Sequence, residues 1–318
     1  MATGGAIGRG PAAGGSVSPP AARAAPRLTL RQRESLAALA SLLPAFLLVG
    51  VVVWWPTAQA FARSVTDWNG MTARLVGLAN YRAILGSNEF WTALRTNVVF
   101  ALAIPGILVV CLVVAVLLFE QVPGWRFFRS VYYVPTILSA AVVGMLMRIL
   151  FATNGPVNTL LGRAGLASLQ LPWLSTVPTA FVVLLFVFYW QTLGQGVLIF
   201  LAALSAVPQD LIEAATLEGA GWWQRLVGVI IPQLVPAIAY FVVFNLVWAF
   251  VGLFAIVYTV TGGGPGYGTT SVDLYIYRKA FEQGQLGYAS ALSVVLFLIV
   301  LVISAAQVRL FDRYTTTD

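Results

Sequence analysis

The sequence predicts an all-α integral membrane protein with about six transmembrane helices. Three observations predict it: 59% of the residues are apolar, only 9% are charged, and the apolar residues gather into six runs, each near the ~20 residues a helix needs to cross a bilayer. A mean hydropathy of +0.88 fits no soluble class. The net charge of +7 would suggest nucleic acid for a soluble chain. Here the arginines flank apolar runs and read as topology signals, so the lipid bilayer is the expected partner and nucleic acid is not.

The residue types that are missing narrow the function. There is no histidine, and Cys111 is the single cysteine. No disulfide can form within the chain, and neither a His/Cys metal site nor a His-based catalytic triad can be assembled. The single lysine, Lys279, is followed by Ala280 and not by Ser or Thr. A phosphate-cradling Walker A loop is therefore absent. The expectation is no catalytic residue, no metal and no cofactor bound by this chain.

In chain order, residues 1–34 are rich in Ala, Gly, Pro and Arg without apolar periodicity and are expected to form a disordered cytoplasmic tail. A transmembrane domain follows over 35–313, and a short tail over 314–318. The apolar runs fall at about 36–60, 94–119, 130–151, 177–204, 233–260 and 286–308. Arg23, Arg27, Arg31 and Arg33 ahead of the first run place the N-terminus inside, and an even number of spans returns Arg309 and Arg313 to the same side. Between the first two runs, an amphipathic segment lies near the outer interface, anchored by Tyr81, Phe90 and Trp91. Pro135 is expected to kink the third span, a feature tolerated where neighbouring helices satisfy the freed backbone. The run Thr261-Gly262-Gly263-Gly264-Pro265 lacks a following Lys-Ser/Thr and reads as a tight turn.

The longest polar interruption of the second half, residues 205–232, carries Asp210, Glu213, Glu218 and Arg225. Pro208 suits a first helical turn, Asp210 and Glu213 complement the helix dipole, and Gly219 ends or bends the helix. Leu211, Ile212, Ala215 and Leu217 fall on adjoining faces. The residues support two readings, a membrane-surface helix between two spans and a docking element for a partner.

No acidic residue lies within an apolar run. A proton-coupled carrier needs such a group as its relay, so the energy for transport must come from elsewhere. Arg148, the one charge inside a span, either snorkels to the interface or contacts a solute. Trp190, Gln191 and Gln195 in the fourth span, and Asn245, Trp248 and Gly252 in the fifth, have helical spacings that gather polar and aromatic groups. The set suits a carbohydrate, with amides for hydroxyls and aromatic rings for C–H faces. It equally suits amides that join helices and tryptophans that fill the bundle.

Glu213-Ala214-Ala215, then Gly219 after three intervening residues, then Val229, Ile231 and Pro232, resemble the EAA loop of permease subunits of binding-protein-dependent ABC importers. Val229 and Ile231 are conservative departures, and Glu218 stands where the family usually has Asp. The resemblance extends to the first outer segment, to Phe128–Gly144, to Trp190 and Gly194 near the end of the fourth span, to the Thr261–Pro265 turn, to the run from Tyr275, and to Gly287–Ala291. It thus covers about 36–313, most closely the sugar-uptake type of maltose, lactose and glycerol-phosphate permeases. It implies a type I importer arrangement in a bacterial or archaeal plasma membrane. It also implies a coupling helix built from Glu213, Ala214, Ala215, Leu217, Glu218, Gly219 and Ala220, and a solute pathway on the fourth and fifth spans. The implied partners are a second homologous permease, two ATP-binding subunits that hold ATP and Mg, and an extracytoplasmic solute-binding protein. The expected function is import of a mono- or oligosaccharide driven by ATP hydrolysis on those partners. Glycerol phosphate or another small polar solute is the alternative cargo. A secondary transporter is disfavoured by the missing intramembrane carboxylates, and a membrane enzyme by the missing histidine and paired acids.

Overall fold

A computed structural model describes residues 30–315, with side chains outside 30–38, 40, 126, 128, 129 and 310–315. The tail expected over 1–34 lies outside the described residues as far as residue 29. Helix begins at Leu30, earlier than the expected domain start at 35, and the C-terminal tail lies outside from residue 316. The chain divides into two compact units, Met1–Pro56 and Thr57–Asp318. The first contains α1 (Leu30–Val49) and a π-helical turn, Gly50–Trp54, with apolar side chains such as Leu42, Phe46 and Trp54 exposed.

From α2 (Trp55–Ser64) onward, helix again dominates. The described residues hold no strand beyond an isolated bridge between Thr66 and Leu75. In order come α3 (Ala79–Leu85), α4 (Asn88–Phe119), α5 (Trp125–Ile137), α6 (Ala140–Leu150), α7 (Pro156–Arg163), α8 (Val177–Ser205), α9 (Gln209–Leu217) and α10 (Trp222–Arg225). A π-helical turn, Leu226–Ile230, leads to α11 (Ile231–Gln233), α12 (Val235–Val251), α13 (Phe254–Val260), α14 (Val272–Tyr277), a further π-helical turn Arg278–Glu282, and α15 (Leu286–Thr315). Among the described residues, Ser41–Ser64, Asn88–Phe119, Val177–Ser205 and Leu286–Arg309 are each long and apolar enough to cross a bilayer, and two bent helix pairs raise that number to as many as six when each pair is counted as one span.

The bends sit where local chemistry interrupts the helix. The third span turns by 105° between Ser130–Ile137 and Ala140–Leu150. Pro135 lies inside α5, and the break comes three residues after it, at Leu138 and Ser139, both extended. Pro135 removes one backbone donor, but Ser139 starts the new helix: its hydroxyl accepts the Val142 N–H at 3.3 Å. The fifth span bends by 64° at Leu234, between Pro232 and Pro236, which stand in the first turns of α11 and α12. The run expected to be one helix over 233–260 is broken again at Gly252 and Leu253, so its last turns form the separate α13.

In a bilayer, lipid tails are as apolar as leucine, so helices associate through close packing and interhelical hydrogen bonds. Helix α8 packs against α4 and α5, burying Phe100, Ile104, Ile107 and Cys111 of α4 with Val183, Val187, Phe188 and Phe200 of α8. A Cβ at Gly194 would lie 2.5 Å from the Tyr132 carbonyl oxygen. Only glycine permits the α5–α8 approach. Asn97, fully buried on α4, joins three elements: its Nδ2 donates to the carbonyls of Ala249 (2.8 Å) and Phe250 (3.3 Å), and its Oδ1 accepts the Val272 N–H at 2.9 Å. Those carbonyls end α12 and have no partner within that helix.

The segment between the first two spans departs from an interfacial helix with three aromatic anchors. Phe90 is core, and Tyr81 donates to the Ser64 hydroxyl at 2.7 Å. Trp91 alone of the three is exposed, its indole N–H bonded to the Leu85 carbonyl at 2.9 Å.

Candidate functional site

Helix α9 begins one residue later than expected. Pro208 is extended (φ −60°, ψ 126°) and flanks the helix instead of occupying its first turn, while Asp210 stands in that turn. The helix closes with paired bonds, Gly219 N–H to the Thr216 carbonyl (3.1 Å) and Ala220 N–H to the Ala215 carbonyl (3.0 Å). This closure requires a left-handed residue at Gly219, where φ is +84°. The chain then turns back. Arg225 donates to the Thr216 hydroxyl at 2.6 Å, and that hydroxyl donates to the Ile212 carbonyl at 2.7 Å. The Trp222 indole N–H bonds the Glu120 carboxylate, tying the start of α10 to the end of α4.

Two faces result. Ile212 and Ala215 are half-buried, as is Ala220 beyond the turn, whereas Glu213, Ala214, Leu217, Glu218 and Gly219 are exposed. Leu217 is 90% exposed. With 3.6 residues per turn, Asp210, Glu213, Ala214 and Leu217 share one stripe. The helix is braced on one side by its own chain and presents two carboxylates, a small side chain and a large apolar one on the other.

Among the broken helices lies a cavity of about 230 Å3 lined by Gln191, Gln195, Asn245 and Trp248, together with Thr136, Leu138, Ala140, Thr192 and Phe244. Four of the six expected pathway residues therefore meet there. Trp190 is turned ~100° around α8 from Gln191 and packs half-buried against the core. Gly252 ends α12, its N–H bonded to the Trp248 carbonyl at 2.8 Å. The Thr136 hydroxyl donates to the Gln191 carbonyl at 2.9 Å, which holds the broken third span on α8. Asn245 Nδ2 donates to the Phe241 carbonyl at 2.9 Å. Phe188 covers one face of Trp248, with ring centres 5.5 Å apart and planes 13° from parallel.

Thr136, Leu138 and Ala140 were not legible as lining because they come from the helix break. The Pro-Thr-Ile-Leu-Ser order, a proline followed by a strong N-cap, is the signal that could have found them. No titratable side chain lines this cavity. It can hydrogen-bond hydroxyls and pack C–H faces, but it offers no group for acid–base chemistry.

Arg148 lines a different cavity, together with Arg278. In the first turn of α14, the carboxylate of Asp273 accepts the N–H groups of Phe254 (2.7 Å) and Leu274 (2.9 Å) and the Ser271 hydroxyl. Burial pushes the Asp273 carboxyl above its ordinary range, against the opposing pull of those hydrogen bonds. It caps α13 across the loop.

A bundle of spans broken by design, with an uncharged polar cavity at the breaks and a braced helix exposed between two spans, defines a membrane permease subunit. The family described as "Binding-protein-dependent transport system inner membrane component" matches residues 90–316, and the chain belongs to it. It is 31% identical over 268 residues to the multiple sugar-binding transport system permease protein MsmF of Streptococcus mutans serotype c, covering 83% of this chain and 91% of the relative. It is also 31% identical over 279 residues to the sn-glycerol-3-phosphate transport system permease protein UgpA of Agrobacterium fabrum, covering 85% and 92%. In fold it is similar to a chain of a bacterial alginate ABC transporter crystallised with an alginate-bound periplasmic protein: TM-score 0.77, 20% identity, 90% of this chain and 97% of that one. The all-α fold is the ABC importer permease arrangement.

Proposed function

We propose that this chain is the permease subunit of an ABC importer for a carbohydrate, delivered by an extracytoplasmic solute-binding protein and moved by ATP hydrolysis on partner subunits. The observation that carries this reading is α9, a short helix braced on one side by Arg225 and Thr216 and exposed at Glu213, Ala214 and Leu217 on the other. Docked in a cleft of an ATPase subunit, it would pass that subunit's movement to α8 and α10, which flank it in the chain, and so to the helices around the cavity. The Gln191, Gln195, Asn245 and Trp248 set would hold the sugar through amide hydrogen bonds and an aromatic face. The sugar relative MsmF and the matching spacing around Glu213 support the same assignment. ATP and Mg would be bound on two partner ATPases, and a second homologous permease would complete the pathway. Both termini would lie in the cytoplasm of a bacterial or archaeal cell, as the arginines before and after the spans favour.

The test is to tag the chain, extract it in mild detergent and identify what co-purifies. The expected result is a second permease and a Walker-motif ATPase, the ATPase being lost on Glu213→Lys. A chain that runs alone and moves solute in vesicles without ATP sinks the proposal.

A further inference from the structure

The cavity that holds Arg148 belongs to neither α9 nor the polar pocket. It is an open cavity of about 550 Å3 between α6, α13 and the turn after α14, with Arg148, Arg278, Tyr258 and Thr259 on its walls and Met145 and Ile149 as an apolar side. Two guanidinium groups on one cavity repel each other. Their local compensation is slight. Arg278 Nε lies 3.9 Å from the half-exposed carboxylate of Glu282, one helical turn on, and among the described residues Arg148 has no hydrogen bond or ion pair.

The two arginines are held differently. Arg278 is fixed: it donates to the Gly262 carbonyl, reaches the Thr270 hydroxyl at 3.4 Å and lies over the Tyr267 ring at 5.3 Å. It stands at the first position of a π-helical turn, a local distortion that often marks functional sites. Arg148 is exposed and free to move towards whatever enters. Beside them runs an aromatic ladder: Phe254 stacks on Tyr258 at 5.4 Å, Tyr258 meets Tyr277 at 5.9 Å, and Tyr277 meets Phe281 at 5.2 Å. Tyr258 and Phe281 are exposed. A guanidinium pair recognises planar or tetrahedral oxyanions through paired N–H donors. An exposed ring face is suited to the C–H face of a sugar, whose hydrogens meet the negative π cloud.

We infer that this cavity is a subsite for an acidic saccharide, its carboxylate or phosphate held between Arg148 and Arg278 and its ring against Tyr258. The inference rests on the sugar-permease reading above and gives the cargo a negative charge. It places charge recognition on α6 and the turn after α14, apart from the uncharged pocket around Gln191.

The test is arginine modification by phenylglyoxal in the assembled importer, reconstituted in phosphatidylcholine vesicles and read peptide by peptide in the mass spectrometer. Glucuronate, galacturonate and inorganic phosphate are expected to slow modification of Arg148 several-fold, while glucose and galactose at the same concentration do not. Exposed Arg163 on α7 is the control and should react equally in all five. Arg278→Lys should keep much of the protection and Arg278→Gln should lose it. Because Arg278 also holds the Gly262 carbonyl, Arg148→Gln is the cleaner uptake variant, expected to lower uptake of an acidic sugar while Arg148→Lys retains it in part.

Equal protection by glucose, equal protection of Arg163, or no protection at all overturns the inference. So does protection that arises only from phosphatidylglycerol added to the vesicles, which would make the occupant a lipid headgroup. An importer that assembles with its ATPase but protects Arg148 unselectively leaves the permease reading standing. A chain that protects Arg148 yet binds no ATPase does the reverse, leaving an anion site without a transported cargo.

Discussion

Gly219 is the position at which the coupling role of α9 can be tested by backbone conformation alone. Its φ is +84°, and a Cβ built on it meets nothing within 4 Å. Gly219→Ala therefore adds no clash, and its cost is the left-handed conformation itself, about 1–2 kcal/mol. That shifts the closed helix end by a factor of roughly 5–30. A nine-residue helix is marginal without its closing bonds, so the loss should appear directly as weaker docking. Gly219→Asn should cost less, because asparagine tolerates the left-handed region. Gly219→Pro should cost about 3 kcal/mol or more, since proline fixes φ near −65° and deletes the N–H that bonds the Thr216 carbonyl at 3.1 Å. Gly228 supplies the control: a Cβ there also meets nothing within 4 Å, but its φ lies outside the left-handed range, so Gly228→Ala should be near neutral. The assay is titration of the purified ATPase subunit against permease in vesicles, with membrane insertion checked by protease accessibility. The expected order of affinity is Gly, Asn, Ala, Pro. If Gly219→Ala docks as tightly as the parent, or Gly219→Pro transports normally, the closed helix end is not what couples the subunits.

Other outcomes follow from the same geometry. Asn97→Ala orphans the Val272 N–H and two terminal carbonyls of α12 and should destabilise the bundle by about 2–4 kcal/mol. A lowered midpoint of thermal unfolding and faster hydrogen exchange at Val272 would report it, and an unchanged Val272 amide would contradict the bonding. Gln191→Ala or Asn245→Ala should lower sugar uptake several-fold while ATP hydrolysis persists, and unchanged uptake kinetics would reassign both amides to helix packing. For Asp273, burial raises the folded-state pKa. Its contribution to stability is thus fully present below the ordinary carboxylate range and is lost as pH rises through the folded value. Unfolding midpoints of the parent should rise as pH falls through that window, and Asp273→Asn should flatten the slope. A parent profile already flat there would show that the hydrogen bonds offset the burial, and midpoints that fall with pH would show that they outweigh it.

Much of the fold was legible in the sequence because hydropathy is a local property. The runs around 94–119, 177–204 and 286–308 correspond to α4, α8 and the apolar part of α15. The end of α9 at Gly219 was equally readable, since a terminal glycine acts within five residues of its partners. The breaks were less so. Pro135 drew attention to the third span, yet the chain breaks where Ser139 can start a new helix. Of the six residues grouped by spacing, Gln191, Gln195, Asn245 and Trp248 line one cavity, while Trp190 and Gly252 are not among its lining residues, and adjacent residues on a helix point ~100° apart.

By itself, then, the sequence determined the membrane class, the positions of the apolar runs and the place of the exposed helix, all of which depend on composition and on contacts a few residues long. Only the tertiary structure decided which groups meet. Asn97 finds Val272 from 175 residues away, and Arg148 shares a cavity with Arg278 from the far side of α8 and α12 in the chain. Helix periodicity sets which face a residue occupies, but the bends at Leu138 and Leu234 re-aim those faces, and that depends on how neighbouring helices pack.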